Sequence, residues 1–276
     1  MNRLRAWFLA PTWTVMATLF LAPLAIILSY SFLTRGAYGG LSAPWTPDSY
    51  QRLVDPIYLE ILWRSFWIAA LSTVICLLLG FPLALFISRS GPRKNLYLSL
   101  VILPFWTSFL IRTYAWMFLL RDTGLVNTFL QKLGIIHAPL SLLYNNGAVI
   151  LGLVYGYLPF MVLPLYATLE RLDQNLLEAA ADLGAKPWIT LTRVILPLCQ
   201  PGMRAGTILV FIPCLGAYLT PDLLGGGKSV MIGNLIQNQF TTARDWPFGS
   251  AVSLALMAIV MLLLMSLARR DAEGLL

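Results

Sequence analysis

Hydrophobic and polar residues fall along this chain in long blocks, without the short alternation of a soluble domain. Six stretches, at about 8–32, 68–88, 96–119, 148–168, 203–223 and 248–267, are almost wholly apolar. Each has about the 20 residues an α-helix needs to cross a bilayer. The first follows Arg3 and Arg5, as a signal peptide would, but its length and lack of a small-residue cleavage pattern read as a retained span. No segment between blocks is long enough to bury its own core. The expectation is therefore an all-α membrane protein: one six-helix domain over 8–268, with a polar loop at 173–198 inside it. Pro23, Pro82, Pro104, Pro159, Pro164 and Pro213 lie within the blocks. Each should bend its helix and leave backbone groups for neighbouring helices to satisfy.

The polar loop divides into two short helices. Asp173 is placed to cap the first, with Leu176, Ala180 and Leu183 at helical spacing after it. Gly184 suits the left-handed residue that ends a helix, and Pro187 forbids continuation. A second helix is expected from Pro187 to about Ile195, before Pro197. Ala179, Ala180 and Ala181 would let a partner approach closely, and Glu178 can reach a cation on it.

Composition changes the picture mainly by exclusion. The 276 residues are 58% hydrophobic and 11% charged, against about 25% charged in soluble domains. A net charge of +7 would suit nucleic acid, but the basic residues cluster at the ends of apolar blocks, where they orient a membrane protein. One side carries Arg3, Arg5, Arg89, Arg93, Lys94, Arg171, Lys186, Arg193, Arg204, Arg269 and Arg270. The other carries Arg35, Arg52, Arg64, Arg121, Lys132, Lys228 and Arg244. This bias places both termini and the 173–198 loop in the cytoplasm.

Enzymatic signatures are missing. Cys76, Cys199 and Cys214 are scattered and read as small buried hydrophobes, and His137 is the single histidine. Neither H-E-x-x-H nor G-x-S-x-G occurs. LLGGGKS at 223–229 lacks the first glycine of a phosphate-binding loop and falls on the outer side. The chain is thus read as no enzyme, with no metal or cofactor of its own.

Some residues remain open to two readings. Arg112 in the third block faces protein or water, or snorkels, because a charge near mid-bilayer costs about 2.5–3.5 kcal/mol. Asp222 binds a cation in a pathway or caps a turn. Trp106, Tyr114, Trp116, Tyr155, Tyr157, Tyr218 and Trp246 gather on the outer half. They form an interfacial belt, or a cation–π lining for an ammonium ion at about 0.5–2 kcal/mol per good contact. Asp222, Trp106, Tyr114, Tyr157 and Tyr218 are the physical candidates for a substrate pathway. Met231, Ile232, Leu235, Ile236 and Phe240 share a helix face in the third outer segment. That face suits a gate, a docking surface or a simple interfacial helix.

The spacing E-A-A at 178–180, three residues, Gly184, nine residues, then V-x-L-P at 194–197 resembles the coupling loop of ABC-importer permeases, although that family usually has Ile where Val194 stands. LPFWTSFLIRTYAWMFLL (103–120), GLVYGYLPFMVLPLYATLERLD (152–173) and TPDLLGGGKSVMIGNLIQNQF with RDWPFGSA (220–251) look like the spermidine/putrescine permeases of that family. The resemblance implies a type I importer-like fold with six spans in a bacterial inner membrane, and alternating access. It also implies partners: a second homologous permease, an ATPase dimer that binds ATP and Mg, an extracytoplasmic polyamine-binding protein, and lipid. The coupling role falls on Glu178, Ala179, Ala180, Gly184, Leu196 and Pro197; no substrate residue carries over. Related permeases move amino-acid-like, opine or aminophosphonate solutes, so these remain alternatives, as do an autonomous channel or carrier and a membrane enzyme.

Overall fold

The computed structural model describes residues 2–273, with the side chains of 9–266. The side chains of Arg3, Arg5, Arg269 and Arg270 lie outside the described residues. In chain order, helix α1 (Asn2–Ser31) is followed by a small antiparallel ladder, β1 (Thr34–Arg35) and β2 (Leu41–Ser42), with Thr34 opposite Ser42. Then come α2 (Asp48–Leu53), α3 (Pro56–Ser88), α4 (Lys94–Ile102), α5 (Phe109–Leu120), α6 (Leu125–Lys132) and α7 (Asn146–Glu170). The chain continues through α8 (Gln174–Asp182), α9 (Pro187–Thr190), α10 (Leu196–Leu198), α11 (Gln200–Leu215), α12 (Ile232–Thr241) and α13 (Trp246–Glu273).

Four helical segments, Leu9–Ser31, Pro56–Ser88, Asn146–Glu170 and Trp246–Ser266, are long and apolar enough to cross a membrane. Two further pairs pass the same test jointly but are sharply bent: Gly91–Trp106 with Phe109–Lys132 by 89°, and Pro187–Leu198 with Gln200–Leu215 by 65°. The described residues therefore hold four to six spans. The expected span at 96–119 is not one helix. Pro104 has no N–H, and after the 3-10 turn Leu103–Trp106 the backbone extends at Thr107 (ψ 148°) and Ser108 (ψ 134°). Thr107 repairs part of the break, since both its N–H (3.3 Å) and its Oγ1 (2.7 Å) donate to the Pro104 carbonyl. The block at 203–223 is also shorter than expected: α11 ends at Leu215, and a π turn follows at Pro221–Gly225. Conversely, α3 starts at Pro56, so part of the expected loop at 34–67 is helix.

The chain forms two compact units. In the unit made by the chain up to Ile61 and from Leu235 on, Asp245 is the central polar residue, only 3% exposed. Its Oδ1 accepts the Phe248 N–H at 3.2 Å and so caps α13, while its Oδ2 accepts Arg52 Nη1 at 2.8 Å. The Arg52 guanidinium then lies 4.2 Å from the centre of the Phe248 ring.

In the unit Leu62–Asn234, α7 is the core helix. Val149, Leu153, Met161, Leu165 and Leu169 recur at multiples of four and are buried. Packing against α11 depends on Gly202 and Gly206, one helical turn apart, in the small-xxx-small spacing that brings membrane helices together. A Cβ at Gly202 would stand 2.5 Å from Thr168 Oγ1 and 2.8 Å from the Pro164 carbonyl; at Gly206 it would stand 2.6 Å from Met161 Sδ. Cys76, Cys199 and Cys214 are free and buried, as small hydrophobes. Of the face formed by Met231, Ile232, Leu235, Ile236 and Phe240, the first three are buried and the last two half-buried, so its first turn is not free to act as a docking surface or to lie in the membrane interface. Its polar neighbours explain why. Ser65 Oγ accepts the Ile232 N–H at 2.7 Å, and Asn234 Nδ2 donates to the Tyr218 carbonyl at 2.7 Å, which fixes this turn against the protein.

Two stability effects are expected in thermal unfolding of the detergent-solubilised protein. Gly202→Val overpacks the α7–α11 contact and costs about 1–3 kcal/mol, whereas Gly216→Ala, whose Cβ would meet nothing nearer than 3.9 Å, is close to neutral. Asp245→Ala removes a cap and a charged hydrogen bond together and costs about 2–4 kcal/mol.

Candidate functional site

The loop between α7 and α11 is built by local chemistry. Asp173 Oδ1 accepts the Asn175 N–H at 3.0 Å and starts α8. At the other end, Gly184 takes φ +75°, its N–H donates to Ala181 O at 2.8 Å, and the Ala185 N–H donates to Ala180 O at 3.0 Å. This is a complete Schellman closure, which needs a residue tolerant of the left-handed conformation. Space does not select the glycine, because a Cβ there would touch nothing within 4 Å; conformation does. Lys186 is extended and Pro187 opens α9.

The second helix does not stop at Ile195. Its last turn widens into a π turn at Leu191–Ile195, where the Leu196 N–H reaches Leu191 O, and α10 then carries the chain past Pro197. A wider turn is how a helix continues towards a residue with no N–H to contribute.

Glu178, Ala179 and Gly184 are exposed and Ala180 is half-buried; the four share α8 and its closing turn. Leu196 is half-buried and Pro197 exposed, both beyond the π turn at the foot of α11. The structure thus places the six residues in two groups. No residue of α8 is buried. Leu183 is 88% exposed and Trp188 72% exposed. With Leu176 and Ile189 also exposed, these side chains make an apolar surface on the loop that another protein would cover. At the base of the loop, Lys94 Nζ donates to Glu170 Oε1 at 2.5 Å, tying the start of α4 to the end of α7.

The pathway candidates are not gathered into one lining. Trp106 is 86% exposed at the α4–α5 break, Tyr218 48% and Tyr114 39%. Asp222 is exposed in the π turn, and its carboxylate makes no capping bond among the described residues. Only Tyr157 joins a cluster. Its ring lies 6.4 Å from Phe109 and 6.2 Å from Phe160, its Oη donates to the Pro213 carbonyl at 3.5 Å, and Phe160 stands edge-on to Phe105 at 4.9 Å. A cation already sits on this cluster. The Arg112 guanidinium is 4.7 Å from the centre of Phe105 and 5.6 Å from that of Phe109. Its Nε is buried with no hydrogen-bond partner among the described residues, so the rings are what hold it. Of the readings open to Arg112, contact with protein is the one observed. Phe105, Phe109 and Phe160 escaped the sequence reading. Their only trace there is spacing: Phe105 and Phe109 at i, i+4, and Tyr157 and Phe160 at i, i+3.

Comparison with known proteins agrees with this architecture. Residues 76–270 match the family described as binding-protein-dependent transport system inner membrane component. The chain is 46% identical to the spermidine/putrescine transport system permease protein PotB of Haemophilus influenzae, over 88% of this chain and 86% of that protein. With PotB of Escherichia coli K12 it shares 45% identity over 88% and 89%. With the inner membrane ABC transporter permease protein YdcU of the same organism it shares 36% over 82% and 76%. Among solved structures, a chain of a bacterial ABC transporter that imports the acidic polysaccharide alginate superposes with a TM-score of 0.78, at 18% identity, covering 99% of this chain and 97% of that one. At that identity the superposition speaks for the fold alone. With the family match over most of the sequence and a relative at 46% identity along nearly all of it, this multi-pass chain belongs to the binding-protein-dependent transport system inner membrane components, the permease subunits of ABC importers.

Proposed function

We propose that this chain is the PotB-type permease subunit of an ATP-driven polyamine importer, taking spermidine or putrescine from an extracytoplasmic binding protein across the bacterial inner membrane. The observation that carries the solute assignment is the 46% identity to a spermidine/putrescine permease along 88% of the chain. In this reading each bent pair counts as one span, giving six with both termini in the cytoplasm. A second homologous permease completes the pathway, and a separate ATPase dimer binds ATP and Mg and docks on α8.

The mechanical part of the reading rests on how α8 is attached. It leaves α7 after Arg171 and Leu172 and joins α9 through the Gly184 turn. Both of its flanking helices are therefore loaded when it moves. Because α7 and α11 are locked by Gly202 and Gly206, a push on α8 would displace them as a pair. Interfaces packed this closely switch between discrete arrangements and do not deform smoothly. The exposed Leu183 and Trp188 supply the apolar contact for the motor, and Glu178 a charge for its specificity.

Two experiments test the reading. Glu178→Arg and Gly184→Pro are each expected to leave the subunit in the membrane but reduce solute-stimulated ATP hydrolysis by the assembled complex at least about tenfold, a loss near 1.4 kcal/mol of coupling; normal transport would count heavily against the docking role. Uptake in proteoliposomes should be saturated by putrescine or spermidine and require ATP. Uptake of an anionic solute alone would remove the polyamine assignment and leave the importer, and flux from this chain without ATP would point to an autonomous carrier.

A further inference from the structure

The glycine-rich segment at 223–229 is not accounted for by coupling or by the aromatic cluster. It forms one wall of a cavity of about 780 Å³, lined among others by Arg121, Asp122, Tyr144, Asn146, Lys228 and Ser229. These residues surround the N-terminal end of α7, whereas α8 follows its C-terminal end. At 1.5 Å per residue, the 25 residues of α7 separate the two by about 37 Å, more than the roughly 30 Å hydrocarbon core of a bilayer. If α8 meets an ATPase in the cytoplasm, this cavity opens on the outer face.

The cavity is built rigidly. Tyr144 is held at φ 60°, an uncommon conformation for a residue with a side chain, and its N–H donates to Leu224 O at 2.9 Å. Gly226 takes φ 56° and ψ −158°, a region closed to other residues, and a Cβ there would stand 2.9 Å from the Tyr144 ring. Ser229 Oγ meets Asn146 Oδ1 at 2.6 Å, and Arg64 Nη1 donates to the Lys228 carbonyl at 3.2 Å. The Lys228 backbone is thereby fixed while its side chain stays exposed. Neither Arg121 nor Lys228 forms an ion pair among the described residues, and Arg121 rests 5.6 Å from the centre of the Phe118 ring.

Two unpaired cations against one carboxylate, Asp122, decide which ligand fits. A polyamine would meet more repulsion than attraction, so this is not a solute site. We propose that the cavity receives an acidic side chain of the extracytoplasmic binding protein, with Lys228 and Arg121 as its counter-charges, and so sets the register of docking. The proposal rests on the outward placement of this end of α7. Charge pairs at a docking rim act chiefly on encounter rate and are screened by salt.

The test is the association rate of the cognate binding protein with the assembled complex in nanodiscs of zwitterionic lipid. At low ionic strength Lys228→Glu should slow association about tenfold and Lys228→Gln by less, with the gap closing as salt is raised. The same charge reversal at Lys132, exposed and outside the cavity, should change the rate less than about twofold. An equal effect from Lys132→Glu and Lys228→Glu, or none from either, would overturn the proposal while leaving the importer reading intact. So would a Lys228 effect seen only in discs containing phosphatidylglycerol, which would assign the cavity to a lipid phosphate. A wild-type complex that its binding protein neither binds nor stimulates would overturn both.

Discussion

In hydrocarbon there is no water to satisfy a backbone N–H or C=O, and each group left unpaired costs several kcal/mol. This requirement makes helices of the apolar blocks, and it also governs where the helices fail. At the Pro104 break, the N–H and hydroxyl of Thr107 both return to the Pro104 carbonyl. Near Pro197, the helix widens to a π turn and goes on. Near Pro221 a second π turn closes the segment after α11, with the Asp222 N–H donating to Tyr218 O. Irregular backbone thus occurs with its hydrogen bonds re-routed locally.

The bonds that remain between helices are of another kind. Lipid gives no hydrophobic drive for one apolar helix to leave it for another, so close contact has to come from shape. Gly202 and Gly206 let α11 approach α7 until a methyl group would not fit. The result is a stiff pair whose two ends differ in character. One end leads into α8, in which no residue is fully buried. The other ends in a polar cavity whose walls hold strained backbone and unpaired charge. A rigid connection between an uncovered apolar loop and a charged cavity suits a subunit that works between partners.

The aromatic cluster shows how packing reassigns residues that look alike in one dimension. Trp106, Tyr114, Tyr157 and Tyr218 are equally eligible by position in the chain. The bend at Thr107 and Ser108 turns α5 so that Phe105 and Phe109 share one cation, Arg112, and Tyr157 joins them through Phe109 and Phe160. Trp106 is left exposed beside the break. Two features were hidden in the same way. The Gly202–Gly206 spacing is plain once α11 is seen to face α7, but nothing in the spacing says which helix it meets. Asp245 and Arg52 stand nearly two hundred residues apart, too far for any local rule to pair them.

Local chemistry alone was enough for the four spans that are single helices, for the start of α8 at Asp173 and for its close at Gly184, because apolar length, side-chain capping and the left-handed conformation are properties of a few neighbouring residues. The membrane character of the chain and its poverty in catalytic groups followed from composition in the same direct way. What only the tertiary structure decided was the direction of each helix after a break, the burial of Met231, Ile232 and Leu235, and which cations keep a partner. Those depend on contacts between segments far apart in sequence, and a broken helix can leave its break at many angles that its own residues tolerate equally well.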